Sequence, residues 1–271
     1  MFGKLLKNDL KAQWHLVSTV YLTAVIIAAV AEGLALFGKS EITKVLAILV
    51  VMAVLFVTSL TALITVAIMF SDTLFGRAGY LSLTLPVKTS SLVRSKTVSG
   101  LIWIFVAYGL FIGSLMLGFS QLSDIMGEEL QSSAESILSI LGMPSFFSMF
   151  ISAVIFCISF AALILVLVQS IYLAISLSNV SPISKFGKLG AIILFFLIAG
   201  IVYGVTVKLG NLWNMGVVID ENALYFTSDV MNYSGKGYIR LALFSTVLQV
   251  AAGILMHFPI TYIVKNKVNI K

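Results

Sequence analysis

An all-α membrane protein is the fold class this sequence predicts, with six transmembrane helices, both termini in the cytoplasm, an amphipathic interfacial helix at the N-terminus and a short cytoplasmic helix between spans two and three. Three observations carry the helical membrane reading: 60% of the 271 residues are apolar, only 10% are charged, and the apolar residues gather into six long runs. A soluble domain carries roughly 25% charged residues. The surface of a water-soluble fold needs more polar side chains than this, so the apolar excess must face lipid.

A helix needs about 20 mostly apolar residues to cross about 30 Å of hydrocarbon. The runs fall at approximately 16–38, 45–70, 99–119, 148–177, 189–207 and 239–264, in a single transmembrane domain over 1–271. The second and fourth are longer than a perpendicular crossing needs, so tilting, kinking or projection beyond the bilayer is expected.

Six spans put the termini on one side, and lysine and arginine decide which side that is. Lys4, Lys7, Lys11, Arg77, Lys88, Arg94, Lys96, Lys185, Lys188, Lys265, Lys267 and Lys271 fall in one set of loops and termini, twelve cations against five in the other (Lys39, Lys44, Lys208, Lys236 and Arg240). The first set is therefore cytoplasmic, in a cell membrane. Asp124, Glu128, Glu129, Glu135, Asp220, Glu221 and Asp229 all lie in the exterior set. The net charge of +6 reads as a topology signal and not as a nucleic-acid surface, because the 17 basic residues are scattered in short clusters.

At 100° per residue, Phe2, Leu5, Leu6 and Leu10 form one face of residues 1–14 while Lys4, Lys7 and Lys11 form the opposite stripe. Such a helix lies on the inner leaflet, with its lysines at anionic headgroups. It is basic and amphipathic and leads into a run too long for an h-region, so it is expected to be retained and not cleaved as a signal peptide. Asp9 falls on the apolar side, where its carboxylate needs either a partner, such as a lysine of the loop after the second span, or water. The exterior segments 120–147 and 208–238 are expected to hold short elements: a helix over Ser132 to Leu141, and a short helix or re-entrant turn around Trp213 to Val218.

No catalytic apparatus is legible. Gly33, Gly38, Lys39 and Ser40 fit the P-loop spacing, but they end an apolar helix on the exterior side, where ATP is not available, and read as a helix C-terminus capped by glycine. His15 and His257 lie at opposite ends of the chain without acidic neighbours at helical spacing, so no metal site is expected; His257, before Pro259, suits a kink. Glu32, near an exterior span end, reads as a snorkelling side chain. The single Cys157 reads as a buried small hydrophobe. Gly109 with Gly113, and Gly200 with Gly204, allow close helix contact. Phe195, Phe196, Trp213, Tyr225 and Phe226 read as packing and interfacial anchors.

The informative stretch is the loop after the second span. Asp72 or Ser71 can cap a short helix, Gly76 and Gly79 allow sharp changes of direction, and Pro86 ends the element. An amphipathic helix parallel to the membrane would offer Phe75, Tyr80, Leu81 and Leu83 to the cytoplasm or the inner leaflet. Asp72, Phe75, Gly76, Gly79, Tyr80, Leu85, Pro86, Val87, Ser91 and Lys96 together resemble the pattern of the permease subunits of the ABC-2 class of ABC transporters, which are often bacterial. The resemblance extends over the whole plan of interfacial helix, six spans and a polar exterior segment between the last two.

That resemblance implies a coupling helix seated in a groove of a separate cytoplasmic P-loop ATPase subunit, which holds ATP and Mg while this chain binds no cofactor directly. It also implies a dimer, with a second copy or a sister permease, and export of a lipophilic or amphipathic cargo such as a peptide, drug or lipid. Where the family often has an acid before the Gly-Tyr pair, this chain has Arg77 and Ala78, so Arg77 is expected to face an acidic patch instead. Other classes compatible with the residues are an ATP-independent secondary transporter or channel, which ordinarily shows intramembrane charges or broken helices, and a membrane sensor or scaffold.

Overall fold

The structure is a computed structural model that describes residues 2–37, 41–76, 79, 87–126, 146–180, 183–213, 215–219, 224–228, 239–241 and 243–266. Six long helices dominate it: α1 (Phe2–Phe37), α2 (Glu41–Leu74), α3 (Thr89–Met126), α4 (Phe146–Ser178), α5 (Gly187–Leu212, preceded by a 3-10 turn at Ile183–Phe186) and α6 (Leu243–Asn266). Four of these helices are long and apolar enough to cross a membrane among the described residues, or five if the bent α1 is one span. The chain is therefore a multi-pass helical membrane protein. Outer faces such as Leu22, Ile26 and Val30 on α1, or Ile192, Ile193 and Phe196 on α5, are exposed and apolar, the arrangement lipid solvation favours.

The described residues group into two compact units, Met1–Gln131 and Ser132–Asn269. In the first, α1, α2 and α3 pack mutually. Ala31 of α1 meets Ala47 and Val51 of α2, with Ala28 and Leu110 against them, so the end of α1 abuts the start of α2. Side chains pair in parallel order between α1 and α3: Asp9 with Ser95 and Lys96, Gln13 with Ser99, Tyr21 with Trp103. The unit thus runs up, down and up, which brings residues 2–14, the end of α2 and the start of α3 to one end. Within α1, Phe2–Trp14 is bent by 52° from Val17–Ala31.

In the second unit, α4 packs on α5 and α6. Gly253 lets α6 approach α4 closely, since a Cβ there would meet Leu165 Cγ at 2.8 Å. Ser159 and Thr246 share a hydrogen bond of 2.9 Å across the same pair of helices. Gly187 opens α5 at φ +54, a conformation that side chains with a Cβ resist. Cys157 is exposed on α4, and Phe156 and Ile158 beside it are exposed too; this corrects the expectation of a buried cysteine. The buried face of α4 begins further along, at Ala162, Ile164 and Val168.

The segment after α5 is a second correction. Instead of a helix or re-entrant turn around Trp213 to Val218, it forms β1 (Gly216–Ile219), followed by β2 (Leu224–Thr227) and β3 (Ile239–Leu241) in an antiparallel sheet of order β2-β1-β3. Val217 pairs with Phe226 on one side and Leu241 on the other. Three consecutive β-branched residues, Val217, Val218 and Ile219, facing aromatic Tyr225 and Phe226, favour a pleated strand over a helical turn. The expected helix over Ser132 to Leu141 lies outside the described residues.

Candidate functional site

The candidate site is the end of the first unit that gathers the surface helix, the close of α2 and the opening of α3. Helix α2 continues through Ser71, Asp72 and Thr73 to Leu74, because the Thr73 hydroxyl donates back to Met69 C=O and keeps its polarity satisfied within the helix. Ser71 and Asp72 therefore sit in the last turn of α2 and do not cap a new helix, as had been expected. Asp72 is exposed, while Leu74 is fully buried and fixes the level at which the chain leaves the bundle.

The chain then turns. Phe75 N–H and Gly76 N–H both donate to Ser71 C=O, at 2.8 and 3.1 Å, and Gly79 N–H donates to Gly76 C=O at 2.8 Å. A Cβ on Gly76 would come within 2.7 Å of Asp72 C=O, and one on Gly79 within 2.5 Å of Leu74 C=O. Both obstacles are backbone atoms, so neither position admits a side chain without moving the chain. Phe75 is half-buried with its ring 6.1 Å from Phe70, which makes it an anchor for the turn. Arg77, Tyr80, Leu81, Leu83 and Pro86 lie outside the described residues.

Facing this turn region from the same end of the unit is an assembly that the sequence signalled only through Asp9. Its carboxylate accepts hydrogen bonds from Ser95 Oγ at 2.5 Å and from Lys96 Nζ at 3.0 Å, and so is joined to the first turns of α3. The Lys96 side chain is only 8% exposed and that of Asp9 21%, so the charges meet largely out of solvent. One turn on, Gln13 Nε2 donates to Ser99 Oγ at 3.2 Å. Further up, the Tyr21 hydroxyl donates to Trp103 C=O at 2.9 Å and Trp14 lies 5.7 Å from the Trp103 ring. Gln13 Oε1 and Trp103 Nε1 are buried without a partner among the described residues.

The lysine stripe is on the opposite side of the surface helix. Lys4, Lys7 and Lys11 are exposed, as are Lys88 and Arg94 beside the start of α3, whereas Leu5, Leu6 and Leu10 are half-buried. Among the described residues this end of the unit therefore presents five exposed cations, with one further cation, Lys96, paired internally with Asp9. The motif residue Lys96 was legible; the burial of Ser95 and Ser99 beside it was not, since serines in a loop-to-helix boundary carry no pattern of their own.

The remaining sequence signals fall elsewhere. Gly33 is inside α1, which continues to Phe37, so the first part of the P-loop spacing is helical; Gly38, Lys39 and Ser40 lie outside the described residues. Gly109, Gly200 and Gly204 have open space where a Cβ would point. His257 is half-buried, with Thr261 Oγ1, one turn on, 3.4 Å from its Nε2, and Pro259 lies two residues after it within α6. No group of three His, Cys, Asp or Glu side chains among the described residues could hold a metal ion. Comparison with family models, curated proteins and solved structures finds no match.

Proposed function

We propose that this chain is the membrane-spanning permease subunit of an ABC exporter, with six spans and both termini in the cytoplasm of a cell, and that a separate P-loop ATPase subunit supplies ATP hydrolysis. The observation that carries the reading is the clamp of Asp9 on Ser95 and Lys96. It ties a cationic surface helix to the first turns of α3, at the same end of the unit as the glycine turn that closes α2. A load applied to the loop between α2 and α3 reaches the surface helix and two spans together.

In this reading the loop over 75–88 seats in a groove of the ATPase, with Asp72, Arg77 and the aromatic and aliphatic residues from Phe75 to Leu83 as its contact set. Lys4, Lys7 and Lys11 hold the surface helix to anionic headgroups. Closure of two ATPase subunits on ATP and Mg tilts the helices of a permease dimer, formed with a second copy or a sister permease, and moves a lipophilic or amphipathic peptide, drug or lipid outward. The chain itself performs no hydrolysis and needs no bound cofactor or nucleic acid.

The test is purification of the intact chain in mild detergent from cells that express its neighbouring genes, beside a variant with Gly79, Tyr80 and Leu81 replaced. A P-loop ATPase in near-equal amount with the native loop, and absent with the altered one, supports the reading. A native protein that purifies alone, in vesicles whose transport is indifferent to ATP, rejects it in favour of an ATP-independent transporter or a scaffold.

A further inference from the structure

The sheet of the second unit lies between two spans and close to both. Candidate span Ile183–Gly210 ends six residues before β1, and candidate span Leu243–Asn266 begins two residues after β3. Phe244 N–H, in the first turn of α6, donates to Met215 C=O at 3.3 Å, so the start of β1 is joined to the start of that span. With at most about 3.6 Å per residue, the strands have no length in which to move far from the bilayer surface.

The side chains there suit such a position. Phe226 is 80% exposed and Leu212 75%, with Trp213, Met215 and Val247 also exposed. Between β1, β2 and the first turns of α6 lies a cleft of about 340 Å³, within the size range of small-ligand pockets, roughly 300–1,000 Å³. Met215, Phe226, Leu243, Phe244 and Val247 line it; Thr227 and Ser228 supply hydroxyls, and among the described residues no charged side chain lines it. Val247 belongs at once to the cleft and to the exposed apolar row of α6 that continues through Val250, Ile254 and Phe258. The cleft is thus continuous with the lipid-facing surface of a span.

We propose that this cleft holds one acyl chain of a membrane phospholipid, and that Trp213 and Phe226 seat the sheet in the boundary between headgroups and chains. An acyl chain matches an uncharged apolar lining that runs without interruption into a lipid-facing helix row. The Ser228 hydroxyl is a donor for the ester or phosphate oxygens of the same molecule. Aromatic side chains are favoured at that depth, where the ring meets chains and its edge meets water. The inference needs only that the chain is embedded in a membrane, and it stands whether or not an ATPase partner exists.

The experiment uses the full chain with Trp14→Phe and Trp103→Phe, leaving Trp213 as the reporter, in vesicles of phosphatidylcholine brominated either near the headgroup or near the chain terminus. Trp213 emission should fall about two-fold more with the shallow bromines, the depth at which interfacial elements lie, and should resist aqueous acrylamide. In native mass spectrometry the wild-type chain should retain one more phospholipid than Val247→Trp, which fills the cleft. Should the two tryptophan changes unfold the first unit, a spin label at Phe226→Cys in a Cys157→Ser chain gives the same reading, with oxygen relaxing it more than a water-soluble nickel chelate. A label relaxed mainly by nickel, or emission quenched mainly by acrylamide, overturns the proposal. So does a site shielded from both bromines and water, which would mean that protein covers the sheet.

Discussion

Replacing Asp9 with Asn tests the clamp between the surface helix and α3. The amide keeps the shape and an acceptor for Ser95 Oγ but withdraws the charge opposite Lys96, whose side chain is 8% exposed and 3.0 Å away. Removing one partner of a buried ion pair costs about 3–5 kcal/mol because the other charge is left desolvated. Asp9 is 21% exposed, so solvent already screens part of the interaction and about 2 kcal/mol is the expected penalty. That energy is about a 30-fold change in an equilibrium constant. It should appear as local opening of the surface helix, since 2–14 can detach at the bend without unpacking Val17–Ala31.

Amide hydrogen exchange in lipid nanodiscs measures the effect segment by segment. Amides of 5–14 should exchange about 30-fold faster in Asp9→Asn, while those of 17–31 keep their protection. Lys96→Met added to the same chain should recover most of the loss, because the buried ammonium that lost the Asp9 charge is then removed, and the two substitutions should be strongly non-additive. An exchange rate for 5–14 within about three-fold of wild type, a change below 1 kcal/mol, or full additivity of the two changes, would refute the argument.

Gly79→Ala should displace the turn after α2, since the methyl would face the Leu74 carbonyl at 2.5 Å; under the proposed function, binding of the proposed ATPase subunit should be lost with helix content by circular dichroism unchanged. Gly3→Ala, with nothing within 4 Å of the new carbon, is the silent control in both measurements. Gly253→Val drives side-chain atoms into Leu165 and should cost about 1–3 kcal/mol by overpacking, read as a lower midpoint of detergent unfolding; Leu165→Ala should restore much of it by clearing Cγ and Cδ2. Ser159→Ala removes the bond to Thr246 and should cost about 0.6 kcal/mol, the usual worth of an interhelical hydrogen bond in a membrane.

The helices were legible because crossing a bilayer demands an apolar length that few other structures require, and α2, α4, α5 and α6 meet it. Their ends were less so. Helix α2 runs past the expected 70 to Leu74 because Thr73 bonds its own backbone, a local device that composition does not reveal. The sheet was missed because the Asn, Gly and Tyr content of 208–238 suggested turns, while the signal lay in three adjacent β-branched residues and a facing aromatic pair. At the candidate site, Asp9 was conspicuous as a charge on an apolar helical face, but solvation left a lysine partner and water equally open, and coordinates were needed to show the pair with Lys96. Ser95, Gln13 and Ser99 were not conspicuous, since a polar residue near a span end is as easily wet as buried. The steric case for Gly76 and Gly79 needed coordinates, because a glycine in a loop says only that freedom is allowed.

The bend in α1 and the ion pair act as one device. Lys96 lies in the first turns of α3, and its side chain turns inward to a place only 8% exposed. A charge so buried requires a counter-charge, and Asp9 delivers one at 3.0 Å. A 52° bend separates 2–14 from Val17–Ala31, and within 2–14 Asp9 is turned to Lys96 while Lys4, Lys7 and Lys11 are exposed. The surface helix is then part of the fold of the first unit and not an appendage to it. A chain lacking 2–14 should take the Asp9 carboxylate from Lys96 and the Gln13 amide from Ser99, and the first turns of α3 should lose exchange protection. Lys96→Met in the truncated chain should give that protection back, and its failure to do so would show that the helix stabilises α3 by some route other than this pair.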